Sequence, residues 1–170
     1  RAALRPNETH YVILTAVTAG PGLGFNRAML FLRDGDRVKG AMAISPDSRR
    51  EMTSLYEEAA EKKFNFSFYI EQFYRQDLKV TNKLHSVVSA ASFDRSEENF
   101  LTEALSKRDV RVIEKIRKSD CSGIPDLAPF LSHPVIVAPI IARDEEIGVI
   151  VADNAFNEKR FTSEDRMSLA

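Results

Sequence analysis

The sequence has no tryptophan and a single cysteine, Cys121, among its 170 residues, so no internal disulfide framework can hold it together. A charge excess is missing too. With 24 lysines and arginines against 25 aspartates and glutamates, the net charge of -1 leaves no electrostatic footprint for nucleic acid or an anionic membrane. No apolar run approaches the ~20 residues that a membrane-spanning helix needs. No signal-peptide pattern is visible, which together with the lone thiol fits a reducing cytoplasm. The histidines, His10, His85 and His133, lie far apart with no paired spacing, so no metal site is expected, and nothing calls for a cofactor. There are no internal repeats and no low-complexity tract. The chain starts at Arg1 without Met and stops at Ala170 inside what reads as an opening helix, which suggests a piece of a longer protein.

What is present suits one domain over residues 1–170, since a chain of this length buries about 70% of its extended surface on folding. The segment from Pro134 to Asn154, PVIVAPIIARDEEIGVIVADN, organises it. Two runs rich in β-branched residues, Val135 to Ile141 and Ile147 to Val151, flank the polar stretch from Ala142 to Glu146, the pattern of two antiparallel strands joined by a short loop. Neither run alternates cleanly between apolar and polar, so both faces of the hairpin are expected to be covered, inside a sheet.

Ahead of it, Glu8 to Ala19 reads as a first helix stopped by Gly20-Pro21-Gly22. Gly20 to Gly24 also invites a phosphate-loop reading, but such loops run from strand to helix and here the order is helix to strand. Ala28 to Leu32, Asp34-Gly35 and Arg37 to Ser45 form a hairpin pattern. After Pro46, with Asp47 or Ser48 as cap, Met52, Leu55, Tyr56 and Ala59 mark an amphipathic helix. Phe64 to Tyr74 gathers six of the fifteen aromatics and predicts a short helix from about Ser67 to Arg75. Asp77 to Asp94 reads as irregular structure or one or two helical turns. Ser96 is expected to cap a helix through Leu105 with Phe100, Leu101, Ala104 and Leu105 inward. Val110 to Ile113 is a short strand, Lys118 to Pro129 a loop, and Thr162 with Asp165 a variant of the capping box that opens a last helix.

These residues resemble the GAF domain of bacterial sensor histidine kinases and related signalling proteins, over nearly the whole chain. The resemblance is carried by Leu14-Thr15-Ala16-Val17 leading into Gly22-Leu23-Gly24-Phe25-Asn26-Arg27-Ala28 and by Gly40-Ala41-Met42-Ala43-Ile44. It is carried above all by Ile147-Gly148-Val149-Ile150-Val151-Ala152-Asp153-Asn154, followed by Phe161-Thr162-Ser163-Glu164-Asp165. It implies an α+β fold related to PAS domains. A central antiparallel sheet of five or six strands would carry the terminal helices on one face and the helical, irregular middle segment over the other, as a ligand pocket. Periodicity alone implies only an α+β sheet protein.

The resemblance also sets the functional expectations. Some family members bind cyclic nucleotides through a signature of Asn-Lys, a spacer, Phe, three residues and Asp-Glu; here Asn154, Phe161 and Asp165 match, while Ala155 and Arg166 replace the Lys and the Glu. Bilin-binding members use a Cys followed by His, whereas Cys121 precedes Ser122. Members that reduce methionine sulfoxide use several thiols, and one thiol cannot complete that cycle. The expectation is therefore a non-catalytic, small-molecule-sensing domain of a bacterial signalling protein, a sensor histidine kinase first, dimeric through its terminal helices. A dimerisation and relay module without ligand, or a cyclic-nucleotide domain, are the alternatives. Location in the middle segment or beside it nominates Tyr69, Phe73, His85, Arg111, Cys121 and His133 as pocket lining.

Overall fold

The computed structural model describes residues 6–18, 23–46, 48–61 and 82–170. Helix α1, Pro6–Thr18, leads to strands β1, Arg27–Asp34, and β2, Arg37–Ile44. Helix α2, Arg49–Glu61, follows, begun by Ser48, whose hydroxyl accepts from the Glu51 amide at 3.1 Å. The aromatic cluster from Phe64 to Tyr74, with the helix expected there, and the Gly20-Pro21-Gly22 stop lie outside the described residues. The chain resumes with helix α3, Lys83–Ala90, strand β3, Ser92–Asp94, helix α4, Phe100–Lys107, and strand β4, Arg111–Ile113. Two 3-10 helices, Lys118–Asp120 and Pro125–Phe130, precede strands β5, Val135–Ala142, and β6, Glu145–Asp153, and helix α5, Ser163–Leu169, comes last.

The strands form a six-stranded antiparallel sheet in the order β3-β2-β1-β6-β5-β4. The Val- and Ile-rich hairpin sits inside it, with β6 between β1 and β5, which is why its strands lack a polar face. Its loop is shorter than expected. Ala142 pairs with Glu145, leaving a two-residue turn of Arg143 and Asp144 with φ of 51° and 64°. A right-twisted hairpin demands such left-handed angles, and the absence of Gly or Asn hides them in the sequence.

Alternation along the strands separates two cores. Met29, Phe31, Val135, Val137, Val149 and Val151 face the middle segment, meeting Leu84 and Val88 of α3, Leu101 and Leu105 of α4, and Ile124, Leu127 and Leu131 of the 3-10 region. Ala28, Leu30, Ile136, Ala138 and Ala152 face the other way, against Leu14 and Val17 of α1, with Phe161 and Leu169 at the C-terminal end. A register shift opposite Leu30 and Phe31 makes Ala41 the extra residue of a bulge, so Val38 and Ala43 face one core while Met42 faces the other.

Strand β3 pairs only with Arg37 to Lys39, and α3 takes over the rest of the β2 edge. The Gly40 amide donates to the Ala91 carbonyl at 2.9 Å, the Ala43 amide to His85 Nδ1 at 3.1 Å, and Asn82 Nδ2 to the Ser45 carbonyl at 2.9 Å. A Cβ at Gly40 would stand 1.7 Å from the Val88 carbonyl oxygen, so the close approach of helix to strand requires glycine there.

The start of α4 departs from expectation. Asn99, not Ser96, is the cap: its Oδ1 accepts from the Leu101 and Thr102 amides, both at 3.0 Å, and the Thr102 hydroxyl accepts from the Asn99 amide. Ser96, three residues earlier, is used in a turn where its amide and hydroxyl donate to Asp94 Oδ1. The inward residues of α4 are those expected. Among the described residues no helix is long and apolar enough to cross a membrane.

Candidate functional site

The described members of the expected pocket set are spread across the molecule. His85 stands over β2, its Nδ1 occupied by the Ala43 amide and its Nε2 at 3.0 Å from the Ser89 hydroxyl. Burial holds its imidazole below the ordinary pKa of 6.5. Arg111 lies on β4, at the far end of the sheet, so four strand spacings, about 19 Å, separate the strands that carry these two contacts. Its guanidinium pairs with Glu103 at 2.6 Å, and Lys107 and Arg111 together hold that carboxyl below its usual range. Cys121 is buried within the middle-segment core, and burial, reinforced by Asp120, pushes its thiol up to about 11. A thiol so high stays protonated at neutral pH and is a poor nucleophile. His133 precedes β5 and lines a cleft at the sheet end. Tyr69 and Phe73 lie outside the described residues.

Two polar features lie at the same end of the sheet, one of them the cleft that the nominated His133 lines. Arg27, the first residue of β1, reaches the fully buried Asp153 at the end of β6. Its Nε donates to Oδ1 at 2.9 Å, and one terminal nitrogen donates to Oδ2 and to the Phe130 carbonyl, each at 2.6 Å. This pair ties β1 and β6 to the 3-10 region on the ligand-expectation face. The sequence carried a signal, an Arg and an Asp at the ends of two apolar strands, but which strands pair is a tertiary fact.

The second feature is a cleft of about 540 Å³, lined by Glu114, His133, Asn154 and the turn that runs from Glu158 to Phe161. Asn154 Nδ2 donates to the Lys159 carbonyl at 3.0 Å, and the Glu158 amide donates to the Asn154 carbonyl at 2.8 Å. Phe161 packs against Phe25 with ring centroids 5.8 Å apart, and Asp165 accepts from the Thr162 amide as part of the α5 capping box. The three residues that match the cyclic-nucleotide signature therefore brace a turn, fill the terminal-helix core and cap a helix. Among the described residues no group of three or more His, Cys, Asp or Glu is placed to hold a metal ion.

A family model described as the GAF domain matches residues 12–170. No curated protein sequence matches the chain. Among solved structures, a methyl-accepting chemotaxis protein superimposes with a TM-score of 0.60 at 13% identity, covering 98% of this chain and 83% of that one. The GAF domain of a two-component sensor histidine kinase from Bacillus halodurans gives 0.53 at 12% identity, covering 96% of this chain and 84% of that one. The GAF domain of an Acinetobacter phosphoenolpyruvate-protein phosphotransferase gives 0.55 at 12% identity, covering 99% and 77%. At these identities the likeness speaks for the fold alone.

Proposed function

The chain belongs to the GAF domain family, and from that premise we propose that it is a non-catalytic, small-molecule-sensing regulatory domain of a bacterial signal-transduction protein. A cytoplasmic sensor histidine kinase is the first expectation for the whole protein, and a homodimer through α1 and α5 for its assembly. The observation that carries this reading is the single sheet layer between two cores. Neighbouring residues on one strand, such as Leu30 and Phe31, belong to the terminal-helix core and the middle-segment core respectively. Interiors are close-packed, so a ligand that repacks the middle segment shifts the sheet and, through it, the terminal helices. The switch requires a ligand that prefers one helix arrangement over the other. The buried, protonated Cys121 offers no nucleophile, which supports a binding role over catalysis.

Native mass spectrometry of the purified protein, followed by thermal shift with whatever copurifies, tests the ligand. A retained small molecule that raises the melting temperature is expected. Light scattering tests the assembly, with a mass near twice 19.1 kDa expected and a monomer removing the dimer. The second reading, a relay module without ligand, is favoured by the side chains of Ile124, Leu127 and Leu131, which pack against the same core as Val135 and Val137. A stable dimer from which no small molecule is released would decide for it.

A further inference from the structure

Strand β3 covers only the first half of the β2 edge, and α3 closes the second half. Among the described residues three polar ties hold helix to strand. At the C-terminal end of α3 the Gly40 amide donates to the Ala91 carbonyl at 2.9 Å. At its start Asn82 acts twice: Oδ1 caps the helix by accepting from the His85 amide at 2.7 Å, and Nδ2 donates to the Ser45 carbonyl at 2.9 Å. Between these ends the Ala43 amide donates to His85 Nδ1 at 3.1 Å. A ring nitrogen thus stands where a neighbouring strand would present a carbonyl, and of the three ties this one alone can titrate near neutral pH.

The bond fixes the protonation of the ring. Because Nδ1 accepts, the proton of the neutral imidazole sits on Nε2, 3.0 Å from the Ser89 hydroxyl. An imidazolium carries a hydrogen on both nitrogens, which sets donor against donor at Ala43. Ala43 is fully buried, so its amide is then left without an acceptor, a state that folded proteins avoid. The ring itself is half-buried and within reach of a proton from solvent. The elements packed against α3 are β2, β1 and the second 3-10 helix. Their charged groups are Arg37, the Lys39–Asp34 pair, Arg33, Arg27 held by Asp153, and Asp126, with Lys83 on α3 itself. None of these shares a hydrogen bond or an ion pair with His85, and burial, the largest influence on the ring, favours its neutral form.

We propose that His85 makes α3 a pH-sensitive latch: protonation of the ring breaks the tie to Ala43 and frees the N-terminal turn of α3 from the β2 edge. Leu84, next to His85 and buried in the middle-segment core, moves with that turn, so an open latch exposes one wall of that core. The other end stays closed, because neither the Gly40 amide nor the Ala91 carbonyl titrates and the helix backbone lies against Gly40 without room for a side chain. A freed ring takes up a proton more readily than the docked one. The latch is therefore shut at neutral pH and opens as pH falls through the lowered value of the docked ring. No ligand is needed for this, so the small-molecule reading stands or falls separately.

The test is nitrogen NMR of the histidine rings together with amide hydrogen exchange, both followed on the intact chain from about pH 7.5 to about pH 5.5. His85 should hold its proton on Nε2 at the upper end and titrate below 6.5. After correction for the intrinsic pH dependence of exchange, protection of the Ala43 amide should fall at least about threefold across that range, while Val151 in the middle of the sheet keeps its protection. His85→Gln, which offers an acceptor without titrating here, should make Ala43 protection independent of pH, and if that variant does not fold the wild-type series decides alone. The proposal is overturned by a ring that titrates at 6.5 or above, by Ala43 protection that ignores the titration, or by a pH effect that persists in His85→Gln. Equal losses at Ala43 and Val151 would also overturn it, since the ring would then weaken the whole fold and gate no local opening.

Discussion

At the scale of single residues, the polar groups inside this mostly apolar molecule decide its response to pH and to substitution. His85 is neutral in the fold because burial lowers its pKa and because Nδ1 accepts the Ala43 amide, a bond that an imidazolium cannot accept. Below the unfolded pKa of 6.5 the unfolded chain therefore binds a proton that the native chain resists. The stability from His85 is complete above that pH and is lost as pH falls through the lower native value. His10, also lowered by burial, contributes in the same direction. Denaturant midpoints should fall on going from neutral pH to about pH 5, and His85→Gln, which keeps an acceptor without titrating in this range, should flatten that slope. Equal slopes in the two proteins would refute the assignment. Asp153 is the other such residue. Asp153→Asn leaves Arg27 charged and unpaired in the interior, a loss of about 3–5 kcal/mol, whereas Arg27→Met with Asp153→Leu should recover much of it in chemical denaturation.

At the scale of elements, the hairpin and the capped helices show how far local chemistry specifies structure. The amphipathic α4, the α5 capping box and the β1–β2 hairpin were legible because each rests on residues close in sequence. The α4 cap was misplaced because Ser96 and Asn99 both carry capping chemistry, and the choice fell to Asn99, whose Nδ2 also donates to the Ser122 carbonyl at 2.9 Å. The β5–β6 turn hid its type because Arg143 and Asp144 adopt left-handed angles without being glycine. Asp144→Gly should relieve that strain, since the exposed side chain makes no contact the turn depends on, and raise the melting temperature by about 2–3 °C. A fall in stability would mean that the carboxylate matters in a way the turn geometry does not account for.

For the whole molecule, the shared sheet makes the two cores one cooperative unit. Leu30→Ala should cost about 2–5 kcal/mol and Phe31→Ala about 3–5 kcal/mol, although they empty opposite faces. Both should lower a single transition that far-UV and near-UV circular dichroism trace identically. Two separated transitions in either variant would show that the faces fold independently, and the relay of a signal across the sheet would lose its physical basis.

The residues alone determined the class of fold and the central place of the Val- and Ile-rich hairpin, because the run of β-branched side chains without a polar face admits no other position than the interior of a sheet. They also fixed which ends of the chain would be helices. Only the tertiary structure decided which distant polar groups meet: His85 with the β2 edge and Arg27 with Asp153. Strand pairing and helix docking bring these residues together from up to 126 positions apart, and no periodicity or local motif encodes a contact of that separation.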